Sequence, residues 1–165
     1  MSKTTDNLKE AFAGESQAHR KYLLFAEAAE KDGQPQIAKL FRAAATAEAI
    51  HAANHFKALG GIGTTAENLK AAIAGENYEV VTMYPGMIAD VQGAGEKKAL
   101  TSFTWAMEAE KGHEQMYRKA LANIEKGQAS LDYYVCPFCG YTHEGPMTEK
   151  CPVCGAPAEK FIKVA

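Results

Sequence analysis

Apolar residues recur every three or four positions through most of the chain, which is the period of an amphipathic helix. Ala, Glu, Lys and Leu, which favour helices, fill the positions between them up to about residue 126. The pattern predicts four long helices: from about Asp6 to Lys31, from Pro35 to Leu59, from Thr64 to the glycines at 93 and 95, and a last one ending near Lys126.

The predicted helix ends have chemical causes. Asp32-Gly33 ends the first helix and the glycine-rich stretch 60–63 ends the second, because glycine readily leaves the helical conformation. Thr64 and Glu67 have the spacing of a capping box, which predicts the start of the third helix. Proline lacks the backbone N–H that a helix needs, so Pro85-Gly86 is expected to disturb the third helix.

The character of the chain changes after Gln128-Ala129-Ser130, where Cys, Pro, Gly and Tyr become frequent. This tail is too short to fold around an apolar core of its own without a metal. We therefore divide the chain into a helical domain, residues 1–130, and a small metal-binding domain, residues 131–165. The predicted fold class is all-α with a small C-terminal domain.

The helical domain contains an internal repeat. Residues 6–15 (DNLKEAFAGE) resemble residues 67–76 (ENLKAAIAGE). Farther along, one set of positions corresponds to another in the same order: Phe41, Ala44, Ala47, Glu48 and His51 to Phe103, Ala106, Ala109, Glu110 and His113. Two copies of one helix pair predict a four-helix bundle with a pseudo-two-fold axis.

Glutamates interrupt every apolar stripe of the predicted bundle. A carboxylate without a partner is costly to bury, so several in one core require compensation, which divalent metal supplies. Residues three apart on a helix share a face, so Glu-x-x-His can direct both side chains at a metal. Any one of these glutamates alone would more often be a surface residue. Two Glu-x-x-His pairs and further glutamates form a di-metal carboxylate ligand set. Such ligands suit iron or manganese; the candidates are Glu15, Glu48, His51, Glu76, Glu79, Glu110 and His113.

All four cysteines lie in the tail, as the pairs Cys136/Cys139 and Cys151/Cys154. Two Cys-x-x-Cys pairs are typical of one tetrahedral metal site. The spacing leaves iron and structural zinc both open. The helical domain is itself expected to bind a redox-active metal, and an iron centre in the tail can exchange electrons with it. We therefore favour iron.

Composition excludes some function classes. The 165 residues are 47% hydrophobic, enough for a sizeable core, and the formal net charge is −2. With no block of basic residues, neither nucleic acid nor an anionic membrane is an expected partner. The polar N-terminus has no apolar signal-peptide core, so we expect a cytoplasmic location.

Taken in order, the segments GESQA (14–18), EAIH (48–51), GENYE (75–79) and EKGH (110–113) resemble the rubrerythrin family. The tail, YVCPFCGYTHEG followed by CPVCGAP, resembles that family's rubredoxin-like end. The resemblance spans essentially the whole chain. It implies a ferritin-like bundle holding two carboxylate-bridged irons, with Glu48 and Glu110 bridging, and one iron on the four cysteines.

The resemblance also implies roles beyond metal binding. Tyr22 and Tyr84 resemble the tyrosines beside the family's metal ligands, although ordinary core packing explains them equally well. Glu79 aligns with Ala18 in the repeat, so only the second half has a surplus carboxylate. In the family such a site is linked to redox-dependent iron movement between a Glu and a His, here Glu79 and His51.

The resemblance implies an enzyme that reduces hydrogen peroxide, protects against oxidative stress and takes electrons from rubredoxin or an NAD(P)H-dependent reductase. The alternatives are a ferroxidase or oxidase that uses dioxygen, an iron-storage or iron-handling protein, and a zinc-stapled helical binding protein. His113 lies about thirteen residues, roughly 20 Å, before the predicted helix end. Unless the tail folds back, its iron would be far from its own bundle, which favours a homodimer with electron transfer between chains.

Overall fold

A computed structural model describes residues 2–127 and 130–164. Gln128 and Ala129, in the predicted linker, lie outside the described residues. The contacts divide the chain into two compact units, the first ending at Gly63 and the second beginning at Thr64. In the second unit the cysteine-containing tail packs with the helices. The domain boundary near residue 130 stays a prediction.

The first unit is a helical hairpin. Helix α1 spans Lys3–Lys31 and α2 spans Pro35–Ala58. Gly33 turns the chain between them with a φ of 71°, a conformation that glycine adopts without a steric penalty. Small residues let the two helices approach closely: Ala26, Ala29 and Ala38 are buried and Phe41 packs on them.

The helices of the second unit begin with the predicted capping box. The Thr64 side chain accepts from the backbone N–H of Glu67, whose carboxylate accepts from the backbone N–H of Thr64. Helix α3 spans Thr65–Tyr78, a π-helical turn follows at Glu79–Met83, and α4 spans Tyr84–Val91. Helix α5 spans Lys97–Ala122.

Two predicted helix boundaries differ from the structure. The disturbance expected at Pro85-Gly86 lies one turn earlier, in the π-helical turn, where the Tyr84 N–H donates to the Glu79 carbonyl five residues back. Pro85 then lies in the first turn of α4, where its missing N–H costs nothing. Helix α5 ends at Ala122 rather than Lys126, because the chain turns over residues 123–126 before Gly127, which has a φ of 73°.

The tail forms a three-stranded antiparallel sheet. Strands β1 (Tyr133–Val135), β2 (Thr142–Glu144) and β3 (Ile162–Val164) pair in the order β2-β1-β3. Its core consists of Cys136, Cys151 and Ala156, with Tyr141 and Phe161 packed against it. So small an apolar core needs a further source of stability, and a structural metal is one that small domains use.

None of the helices within residues 2–127 and 130–164 is both long and apolar enough to cross a lipid bilayer.

Candidate metal centres

The first unit brings Glu15, Glu48 and His51 together. One ligand atom from each lies within 4.8 Å of the others. His51 Nδ1 is 2.9 Å from Glu48 Oε2 and 3.9 Å from Glu15 Oε1. Glu48 and His51 are three apart on α2 and face α1, as the stripe pattern predicted. The arrangement offers two carboxylates and one imidazole to a metal.

The second unit repeats this triad with Glu76, Glu110 and His113, again with ligand atoms within 4.8 Å. His113 Nδ1 is 2.5 Å from Glu110 Oε2 and 4.0 Å from Glu76 Oε1. The spacing from each Glu to its partner His matches the first triad, which is the outcome expected from a repeated helix pair. Each unit thus carries the same half of a di-metal ligand set.

The carboxylates of the triads are half-buried, whereas the sequence analysis expected buried ones. Side-chain exposure is 31% for Glu15, 20% for Glu48, 18% for Glu76 and 19% for Glu110, and the described residues include no fully buried charged side chain. The second triad lines an open groove, which accounts for the exposure of its carboxylates. Partial exposure lowers the cost of holding these charges before a metal binds.

The charged groups of the second triad shift one another's pKa values. Burial, and then the negative charge of Glu110, raise the pKa of Glu76 to about 7. The hydrogen bond between Glu110 and His113 lowers the pKa of Glu110 and raises that of His113. A proton shared among clustered carboxylates is what a cationic metal would replace.

Glu79 lies beside the second triad without joining its close cluster. It lines an open groove of about 490 Å³ together with Glu76, Glu110, His113 and others. Burial and the charge of Glu110 raise the pKa of Glu79. The surplus carboxylate is therefore near the other candidate ligands but outside their close cluster.

Tyr22 and Tyr84 occupy equivalent positions in the two units. The Tyr22 ring centroid is 6.1 Å from that of Phe41, and the Tyr84 centroid is 6.4 Å from that of Phe103. Burial, and then the charges of Glu79, Glu110 and Glu76, raise the pKa of Tyr84, so its hydroxyl keeps its proton near these carboxylates. Packing is thus the shared role, and proximity to the carboxylates is shown for Tyr84.

The π-helical turn holds one extra residue relative to the first half. Glu15 and Glu76 are 61 positions apart, whereas Tyr22 and Tyr84, which make equivalent contacts, are 62 apart. The extra residue therefore lies between Glu76 and Tyr84, where the π-helical turn Glu79–Met83 accommodates it. Such turns are frequent at functional sites, and this one begins at the surplus carboxylate.

The four cysteines form a second candidate centre. Sγ of Cys136 is 3.5 Å from that of Cys154, and Sγ of Cys139 is 3.5 Å from that of Cys151. A disulfide would require about 2.05 Å. Two sulfurs bound at about 2.3 Å to one tetrahedral metal lie about 3.8 Å apart, close to the observed separation.

Backbone N–H groups form hydrogen bonds with cysteine sulfurs at this centre, which favours the thiolate form. Burial opposes ionisation of Cys136, but N–H groups of Phe138 and Cys139 point at its sulfur, and its pKa is lowered overall. Burial raises the pKa of Cys139 and of Cys154, against hydrogen bonds from the N–H groups of Tyr141 and Ala156. A metal cation is needed to hold all four as thiolates, so the residues fit a tetrahedral thiolate metal site.

The cysteine-containing tail folds back along α5. Thr142 Oγ1 is 2.9 Å from His113 Nε2, and Lys119 pairs with Glu144. The long separation between the tail and its own ligands, expected from the length of the last helix, is therefore not found. Sequence reasoning also missed Thr142, since no local spacing relates a strand residue to a histidine 29 positions earlier.

Comparison with known proteins decides the family. The Rubrerythrin family profile matches residues 6–121, and the profile described as "Rubrerythrin, rubredoxin-like domain" matches residues 134–162. The chain belongs to the rubrerythrin family. Rubrerythrin-2 of Clostridium acetobutylicum is 37% identical over 96% of this chain and 95% of its own length. Nigerythrin of Nitratidesulfovibrio vulgaris is 38% identical over 98% of this chain and 86% of its own.

Solved structures agree with this assignment. Fully reduced, all-ferrous nigerythrin has a TM-score of 0.60 and 36% identity, over 99% of this chain and 88% of the other. The predicted fold class, a ferritin-like helical chain with a rubredoxin-like C-terminal module, is confirmed. The cofactors predicted for the rubrerythrin family are also supported: carboxylate and histidine ligands for two irons, and a four-cysteine metal site.

Proposed function

We propose that this protein reduces hydrogen peroxide to water as part of protection against oxidative stress. The observation that carries the proposal is the hydrogen bond between Thr142 and His113, which joins the four-cysteine module to a ligand of the carboxylate site. An electron-transfer centre placed against a two-electron site suits a redox enzyme. Iron storage and a purely structural zinc module would have no use for this contact.

The two triads contain the donors of a di-iron ligand set. Bound there, a pair of ferrous ions would supply the two electrons that, with two protons, convert hydrogen peroxide into two water molecules. Glu48 and Glu110 are proposed as the bridging ligands, and Glu15, His51, Glu76 and His113 as terminal ones.

Three further side chains have proposed roles around the ligands. Glu79 has a raised pKa and can hold a proton on its carboxyl group while it is not bound to metal. The Tyr84 hydroxyl remains protonated and can donate a hydrogen bond to a carboxylate. Tyr22 is proposed to do the same in the first unit. Movement of iron between Glu79 and His51 remains part of this proposal.

We propose that electrons enter through the four-cysteine iron from an external rubredoxin or an NAD(P)H-dependent reductase. The route from the module to His113 then lies within one chain. The proposed location is the cytoplasm, whose reducing conditions keep cysteines available as metal ligands. A homodimer is also proposed, since both units expose large apolar side chains, including Leu40 and Val81 at 67% and 60%.

The test is a stopped-flow experiment on anaerobically reduced protein, mixed with hydrogen peroxide or with air-saturated buffer. We expect peroxide to reoxidise the protein much faster, with thiolate-to-iron absorption returning as the four-cysteine iron loses its electron. Glu110→Ala should abolish the fast phase. Glu108→Ala is the matched control, because Glu108 is on the same helix but pairs with Lys111. Oxidation by dioxygen at an equal or greater rate would contradict the proposal and favour an oxidase.

A further inference from the structure

Thr142 connects the rubredoxin-like module to the second triad through two hydrogen bonds. Its hydroxyl donates to the Gly140 carbonyl at 3.2 Å, and the same oxygen is 2.9 Å from His113 Nε2. Gly140 is itself fixed by the first cysteine loop, where its N–H donates to the Cys136 carbonyl at 3.0 Å. The Thr142 hydroxyl is therefore hydrogen-bonded to the loop that carries Cys136 and Cys139.

The positions of the hydrogens follow from chemistry. A hydroxyl has one hydrogen, and the Gly140 carbonyl can only accept it. The Thr142 oxygen must then accept from His113, so Nε2 of the ring carries a proton. Nδ1, which donates to the Glu110 carboxylate, is then the nitrogen that would give up its proton to a metal. Partners of this kind orient metal-bound histidines in many proteins.

The equivalent histidine of the first triad lacks this anchor among the described residues. The contacts described for His51 are with Glu48 and Glu15, both through Nδ1, and its side chain is 53% exposed. Strand β2 has no counterpart in the first unit, which consists of α1 and α2. The internal repeat thus supplies two similar triads, and within the part of the chain that the structure describes the imidazole of the second triad is also held through Nε2.

We propose that Thr142 is a positioning residue that fixes the ring of His113, with its proton on Nε2, so that Nδ1 is the metal ligand. The proposal rests on the metal-binding role assigned above, but not on the reaction with peroxide. It distinguishes the two histidines: the ring of His113 is held through both nitrogens, whereas the contacts described for His51 are through Nδ1.

The test uses zinc-loaded protein with ¹⁵N-labelled histidine, compared by long-range ¹H–¹⁵N spectra at neutral pH. We expect the His113 signal, assigned with His113→Gln, to show the Nε2–H tautomer with a slowly exchanging proton. Thr142→Val keeps the β-branched shape that the strand favours and removes the acceptor. Proton exchange should become at least about tenfold faster and zinc affinity in the helices roughly 10- to 100-fold weaker.

Two further variants separate positioning from folding. Thr142→Ser restores the hydroxyl and should restore both measurements. Thr101→Val removes an exposed hydroxyl that donates to the Lys97 carbonyl, and should change neither. If Thr142→Val leaves exchange and affinity unchanged while the wild type binds zinc in its helices, this inference is wrong. If the wild type binds no zinc outside the cysteines, the proposed function fails and this inference fails with it.

Discussion

Metal binding to the second triad should release a proton from Glu76. The pKa of this carboxyl is raised to about 7, so without metal it is about nine-tenths protonated at pH 6, half at pH 7 and one-tenth at pH 8. Proton competition weakens metal binding by about 11-fold at pH 6 and about 1.1-fold at pH 8. Glu76 alone should therefore make apparent affinity rise about tenfold between pH 6 and 8.

The measurement is zinc titration by calorimetry, after the four cysteines have been filled, in buffers of different ionisation enthalpy. At pH 6, zinc binding to the second triad should release about 0.9 proton from Glu76, compared with almost none at high pH. Any proton released by His113 adds to this number. Glu76→Gln isolates the contribution of Glu76 to the proton release, because an amide does not titrate in this pH range. The substitution also removes the carboxylate next to Glu110. An equal pH dependence in wild type and Glu76→Gln would refute this reasoning.

The same shift predicts the stability of metal-free protein. Because the folded-state pKa of Glu76 lies above its ordinary value of 4.5, the proton binds the folded state more tightly. This contribution is complete below about pH 4.5 and is lost as pH rises through about 7. Urea unfolding of metal-free wild type and Glu76→Gln over this range should show the difference.

Four other outcomes are expected. Glu110→Ala should lose metal from the helices by more than about 100-fold in affinity, with thiolate–iron absorption intact; retained helix iron would contradict the ligand assignment. Glu79→Ala should keep both irons and lose roughly tenfold in turnover, whereas complete loss of helix iron would make Glu79 an ordinary ligand. Light scattering should give a dimer. Dimers mixed from a Cys136→Ser/Cys139→Ser chain and a Glu48→Ala/Glu110→Ala chain should stay inactive, because the proposed electron route runs within one chain; regained activity would show that electrons cross between chains.

Features set by neighbouring residues could be predicted from the sequence. The capping box at Thr64 and Glu67 was found because both partners lie three residues apart. The residues of both triads were predicted because Glu and His three positions apart share a helix face, and because the same spacing occurs in both copies of the repeat. The fold class followed from the same periodicity together with the cysteine pairs.

Features that depend on the path of the chain were missed. The contact of Thr142 with His113 requires the tail to fold back, and no local pattern encodes that path. The π-helical turn had a signal that was not used: corresponding residues are 61 apart before it and 62 apart after it. The irregularity was predicted at Pro85, one turn too far along the chain. The missing N–H of Pro85 marks the start of α4, and the irregularity is the π-helical turn that precedes it.

The extra residue of the π-helical turn has a consequence for the origin of the site. A duplicated gene segment begins with two identical halves, and identical halves would give two equivalent metal positions. Insertion of a single codon between Glu76 and Tyr84 is enough to end that equivalence without moving the flanking ligands, because the added residue bulges out of one turn. After a one-codon change of this kind, the two copies can evolve different metal-binding properties while both helix pairs keep their structure.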